Sequence, residues 1–152
     1  MNFCKFYSLS AWKKSVATLL LVWFCIAGQA QYNHTLTIEP LLKTDTTSIG
    51  QKIHYPQFQN DEVTMSKITI PPGQSTGWHK HEFPVFAYVL KGDLTVDIEG
   101  GKSILFKQNS TISEVIGVNH NGTNKGKADV VLIAIFLGEK GKALSVHQEE
   151  NK

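Results

Sequence analysis

From residue 31 onward the chain offers no material for a long helix. Short runs rich in Val, Ile, Thr and aromatic residues alternate with clusters of Gly, Pro, Asn and Asp, and no helical period of useful length survives between them. Asp93-Leu94-Thr95-Val96-Asp97-Ile98-Glu99 alternates strictly, as a half-buried strand does. The run VVLIAIFLG, starting at Val130, is apolar on both faces and predicts a central strand. Strands are predicted over 52–55, 63–70, 84–90, 94–99, 103–107, 111–116, 130–137 and 143–147. Lys91-Gly92-Asp93 and Gly100-Gly101 are expected as hairpin turns. So many short strands in about 120 residues imply an all-β sandwich or small barrel, one domain without repeats.

The first thirty residues have a different character. MNFCKFYSLSAWKK is basic and free of acids, SVATLLLVWFCIAG is apolar but short for a bilayer span, and Gly28-Gln29-Ala30 supplies small residues for cleavage. Residues 1–30 are therefore expected to be a signal peptide cut after Ala30, with the protein periplasmic or secreted and free of the membrane afterwards. Phe24 before Cys25 does not fit a lipid-attachment box. Residues 31–59 are expected to pack on the barrel as an N-terminal segment, 60–147 to form the barrel, and 148–152 to be a polar tail.

Cleavage would also change the charge. Lys5, Lys13 and Lys14 would leave, so the formal +2 becomes −1, twelve lysines against thirteen acids. Both cysteines, Cys4 and Cys25, would leave as well, so no disulfide is expected despite export. All fifteen basic residues are lysines. Without arginine there is no bidentate clamp for phosphate, and no nucleic-acid partner is implied.

Six histidines remain: His34, His54, His79, His81, His120 and His147. Residues two apart on a strand share a face, so His79 and His81 project together while Glu82 faces away. Two neutral imidazoles side by side suit a divalent transition metal, with His120 in GVNHNGTN the best third ligand. From spacing alone, partly exposed strand histidines fit equally well. His34, His54 and His147 have no patterned neighbours and are assigned surface or boundary roles.

Gly73-Gln-Ser-Thr-Gly-Trp-His79-Lys-His81, running on to Gly92, resembles the first motif of the cupin superfamily. Gly117-Val-Asn-His120-Asn-Gly-Thr-Asn124 is similar to the second. The resemblance covers roughly residues 60–138 and implies a small single-domain cupin of type-2 kind, a double-stranded β-helix or jelly-roll barrel with a metal inside. It does not fix an activity, because this fold hosts many.

The first motif is broken at one place. Counting back seven residues from Gly92 lands on Val85, where cupins usually carry a glutamate ligand. Three outcomes are open: a three-histidine site, a carboxylate supplied from elsewhere with Glu114 the first candidate as fourth ligand or second-layer support, or a vacant site. The metal, Fe, Mn, Ni or Zn, is not distinguished. Val85, Ala87, Val89 and Val118 are expected to wall the pocket, and Trp78 to stand at its mouth or pack at the rim. The enzymatic reading is a dioxygenase-type oxidoreductase acting on a small enol, diketone or phenolic compound; the alternative is a non-catalytic module holding a small ligand, or a structural metal. No residue stands out as a dedicated acid or base. Phe86, Tyr88 and Leu90 form an apolar outer face, to be covered by the N-terminal segment or by a homodimer partner.

Overall fold

The computed structural model describes residues 36–148. The expected signal peptide and its cleavage point, His34, and residues 149–152 of the expected tail lie outside the described residues. From Pro40 onward the chain forms one compact unit. Its strands are β1 (Asp61–Ile70), β2 (His79–Lys80), β3 (Val85–Lys91), β4 (Leu94–Ile98), β5 (Lys102–Phe106), β6 (Thr111–Ser113), β7 (His120–Thr123), β8 (Val130–Glu139) and β9 (Val146–His147). All their pairings are antiparallel, in two sheets ordered β1-β8-β3-β6 and β5-β4-β7-β2-β9. This is the expected all-β jelly roll.

VVLIAIFLG occupies the interior position predicted for it. β8 is flanked by β1 and β3 and alternates buried and half-buried along its whole length. Val130, Leu132, Ala134 and Phe136 face inward beside Val85, Ala87 and Val89 of β3, the register setting Ala87 against Ala134 and Val89 against Leu132. Together with Ile70, Leu94 and Ile112 they form the core.

Among the described residues before β1 there is a single bridge, Thr46 to Lys52, where a strand over 52–55 was expected. It runs along the free edge of β6. The amide and hydroxyl of Ser48 both donate to the Ser113 carbonyl, at 2.8 and 2.6 Å, and the Gln51 side chain bonds both backbone groups of Ile116. Edge pairing by side chains satisfies the orphan backbone groups that a regular strand would otherwise have to match.

Gly100-Gly101 does close a hairpin, joining β4 to β5. Lys91-Gly92-Asp93 does not: β3 and β4 belong to different sheets, and the turn carries the chain between them. Gly92 holds φ 75° there, and a Cβ would stand 2.9 Å from the Asp129 carbonyl and 3.0 Å from a Val130 methyl. Left-handed backbone and close approach both demand glycine. Gly92→Ala should therefore cost about 2–3 kcal/mol, whereas Gly101→Ala, with φ 94° but open space around it, should cost about 1 kcal/mol. Thermal melts of the two variants check the ranking, and equal losses would contradict the close-packing account.

Asn124, the last residue of the second motif, is buried and ties loops together. Its amide donates to the carbonyls of Ile70 and Ala128, both at 2.8 Å, and its oxygen accepts from Gly126 N. That role is architectural and keeps the β7–β8 connection closed over the core.

Candidate metal centre

The second sheet builds the site by simple alignment. Across it the register sets Ile98 of β4 against His120 of β7, His120 against His79 of β2, and His79 against His147 of β9. Residues opposite one another in an antiparallel pair project to the same face. Three histidines on three neighbouring strands thus stand in one row facing the barrel interior. His81, two residues past His79, joins the same face and bridges to Ile116. Ligand nitrogens of His79, His81 and His120 all lie within 4.8 Å of one another, and all three residues are buried.

Each of these rings is fixed from behind. The Nδ1–H of His79 donates to the Gly77 carbonyl at 2.8 Å, that of His81 to Leu144 at 2.7 Å, and that of His120 to Val118 at 3.0 Å. A carbonyl only accepts, so Nδ1 carries the hydrogen and Nε2 is left with a lone pair. This back-bonding by main-chain carbonyls is how metal-ligating imidazoles are oriented.

Glu114 stands against two of the three rings, while the mutually close ligand set is the three histidines alone. Its Oε2 lies 3.0 Å from His81 Nε2 and 3.3 Å from His120 Nε2. With both Nδ1 positions already protonated, neutral rings would aim two lone pairs at a carboxylate oxygen. That is repulsive unless a cation intervenes, either protons on the rings or one metal ion. Two donors at right angles around a metal at about 2.1 Å stand roughly 3.0 Å apart, so the observed separations suit a shared ion. The residues present fit a divalent transition metal.

Glu114 reaches the site from across the strand pair. The β3–β6 register, Phe86 against Ser113, continues to Val85 against Glu114, and Glu114 N donates to Val85 O at 2.9 Å. The carboxylate thus stands directly opposite the position where the resemblance left it missing. Glu82 is exposed and pairs with Lys80 at 2.7 Å, well apart from the cluster.

Protonation follows from this geometry. Burial pushes His79 down to about 4, so it is neutral near pH 7. Burial also acts to raise Glu114, but hydrogen bonds from His120 and His81 outweigh it and hold the carboxyl at about 2. On His120 burial opposes charge, while the Glu114 hydrogen bond and charge prevail and raise it above the ordinary value. A metal must displace that His120 proton. Metal affinity should therefore climb with pH, by about one log unit per pH unit below the raised His120 value, and level off above it. In weakly buffered solution at neutral pH or just below, metal addition should release up to one proton per site; a pH-stat titration with no release would contradict the assignment.

A cavity of about 320 Å³ opens in front of the cluster. Its apolar walls come from both sheets and include Ile68, Leu94, Val96, Phe106, Leu132 and Phe136. The expected wall residues are corrected here. Val85, Ala87 and Val89 face inward but are sealed in the core, outside the cavity lining. Val118 is half-buried and contributes its carbonyl to His120 instead. Trp78 is 40% exposed, outside the cavity lining, and accepts a hydrogen bond from Gln148 N. His54 is exposed, as expected. His147 is exposed, as its surface or boundary assignment expects, and also lines the cavity with Ser145 and Leu144. Its signal was concealed, since a two-residue edge strand has no period to read.

Fold and site together define a jelly-roll barrel with an internal histidine cluster able to take a metal ion. Residues 66–136 match the cupin domain family, and the chain carries a small cupin domain of the cupin superfamily. It is 31% identical over 82 residues to an oxalate-binding protein of Thermotoga maritima, a match covering 53% of this chain and 66% of that one. Among solved structures it resembles a protein described as a predicted oxalate decarboxylase from Thermotoga maritima, with 28% identity, a TM-score of 0.44, and coverage of 48% of this chain and 64% of that one. It also resembles a cupin domain from Bordetella pertussis, with 25% identity, a TM-score of 0.46, and coverage of 54% and 88%. The chain thus spans just under two thirds of the first two relatives.

Proposed function

We propose that this chain is an exported, metal-dependent cupin that binds a small oxygen-bearing organic molecule, acting as a dioxygenase-type oxidoreductase. The observation that carries the proposal is the buried cluster of His79, His81 and His120, with Glu114 against two of its rings, opening onto a mostly apolar cavity. His79, His81, His120 and Glu114 would hold the ion. A divalent metal there supplies Lewis acidity toward a chelating oxygen ligand and, as iron(II), reactivity toward dioxygen. The chain's own contribution is orientation and exclusion of water. The main-chain carbonyls of Gly77, Leu144 and Val118 keep the three imidazoles aimed, and the walls leave a dry chamber for an enol, diketone or phenolic body.

Oxygen consumption by the iron-loaded protein with diketones, enols and flavonols tests this reading. Turnover is the expected result, and its absence across those classes would overturn it. The oxalate-binding relative favours a second reading, a non-catalytic binding module for a small carboxylate. Stoichiometric oxalate binding without oxygen consumption would select it. No lysine lines the cavity, so such an anion would depend on the metal and on hydrogen bonds from the lining's histidine and hydroxyl side chains.

Export rests on residues 1–30; N-terminal sequencing of the protein recovered outside the cytoplasm should begin at Gln31. Homodimerisation over the outer face of β3, where Phe86 and Tyr88 are half-buried and Leu90 is 41% exposed, belongs to the same proposal. A monomer in light scattering would remove that element alone.

A further inference from the structure

The C-terminal segment returns to the site and does more than close the sheet. β9 has two residues, both exposed, so it adds little to the core. It is held to β2 by its own pairing and by Gln148 N bonding Trp78 O, while Leu144 O fixes His81 from the same segment. The pairing of His147 with His79 turns its ring to the interior face, with centroids 5.6 Å apart. The hydroxyl of Ser145 lies 3.4 Å from His147 Nε2, and both residues line the cavity.

Other hydroxyls around the cavity are engaged or remote. Ser48 donates to Ser113 O, Thr76 accepts from Gly122 N, and Ser66 sits on β1 in the opposite sheet. Ser145 and His147 are thus a pair of polar groups at the rim, one strand spacing beyond the ion-binding row, with apolar walls between the two sheets.

We propose that Ser145 and His147 anchor a second oxygen-bearing group of the substrate, a carboxylate lying about one strand spacing, roughly 5 Å, from the oxygens held at the histidine cluster. The substrate class narrows to small enols or phenols that carry a carboxylate. This inference rests on the histidine cluster holding a metal. Ser145 and His147 are positioning residues: they fix where the chelating end sits by gripping the other end through hydrogen bonds.

Calorimetry on zinc-loaded protein, which binds without turnover, compares catechol with 2,3- and 3,4-dihydroxybenzoate. Wild type should bind one of the two acids about 10-fold more tightly than catechol, a gain expected of hydrogen bonding to a charged group. In His147→Ala and Ser145→Ala that preference should shrink to about 2-fold or less, with zinc stoichiometry and catechol affinity unchanged. His147→Asn, which keeps a donor, should recover part of it. The anchor is overturned if neither acid outbinds catechol in wild type, or if the preference persists in both alanine variants. Loss of zinc in His147→Ala would also overturn it, making His147 a metal ligand. If wild type itself takes up no zinc, the metal reading and the anchor resting on it fall together, a result separable from the others by the zinc measurement alone.

Discussion

His120→Ala is expected to reduce metal binding by roughly 100-fold or more, taking the protein from about one bound equivalent to a trace. The size follows from sharing a typical binding free energy of about 12 kcal/mol over four ligands, or about 3 kcal/mol each. His120 is also the ring that Glu114 approaches at 3.3 Å, and its loss leaves His79 and His81 without a partner from β7. The fold should survive, because His120 enters its sheet through backbone pairing with Ile98 and His79, which alanine keeps. Circular dichroism and a melt therefore separate ligand loss from misfolding. Full metal retention in a folded His120→Ala protein would show that the ion, if present, is held elsewhere.

Glu114→Val should weaken metal binding by a comparable factor, about 100-fold, and the companion swap is more informative. Val85 on β3 and Glu114, the residue just past β6, stand opposite each other in the continued register, so their Cβ atoms are about 5 Å apart on one face. Placing glutamate at 85 with valine at 114 returns the carboxylate to the strand that carries it in the cupin motif. We expect Val85→Glu/Glu114→Val to recover at least about 10-fold of the lost affinity, since neither substitution disturbs the histidines and total side-chain volume is kept. Unchanged affinity in Glu114→Val would reduce the site to three histidines and make the carboxylate a bystander.

Local pattern revealed some of this architecture and hid other parts, for identifiable reasons. Strand parity placed His79 and His81 on one face, and the missing glutamate at Val85 made Glu114 a candidate for a carboxylate supplied from elsewhere. VVLIAIFLG had to be central because both its faces are apolar. The Lys91-Gly92-Asp93 turn was misread because turn residues report a chain reversal, not which strands then pair. Here the reversal joins two sheets.

Parity told inside from outside but not depth. Val85, Ala87 and Val89 point inward and are nonetheless outside the cavity lining. The bulge between Val89 and Lys91 also breaks any simple extension of the β3 pattern. His147 and Ser145 were illegible for another reason. Their importance comes from long-range pairing to β2, more than sixty residues away, and nothing in ALSVH announces that partner. The main-chain carbonyls that aim the three imidazoles are equally silent in sequence, since a backbone oxygen has no residue type.

On the proposed reading His79, His81 and His120, with Glu114 beside them, would hold one transition-metal ion inside the barrel. Elemental analysis of the native protein, purified without chelators and then again after chelation and reloading, tests it most directly. About one equivalent of Fe, Mn, Ni or Zn per chain is expected, removed by chelator and restored by the same metal. Native protein without stoichiometric metal, whose chelated form takes up none of the four ions, would contradict it.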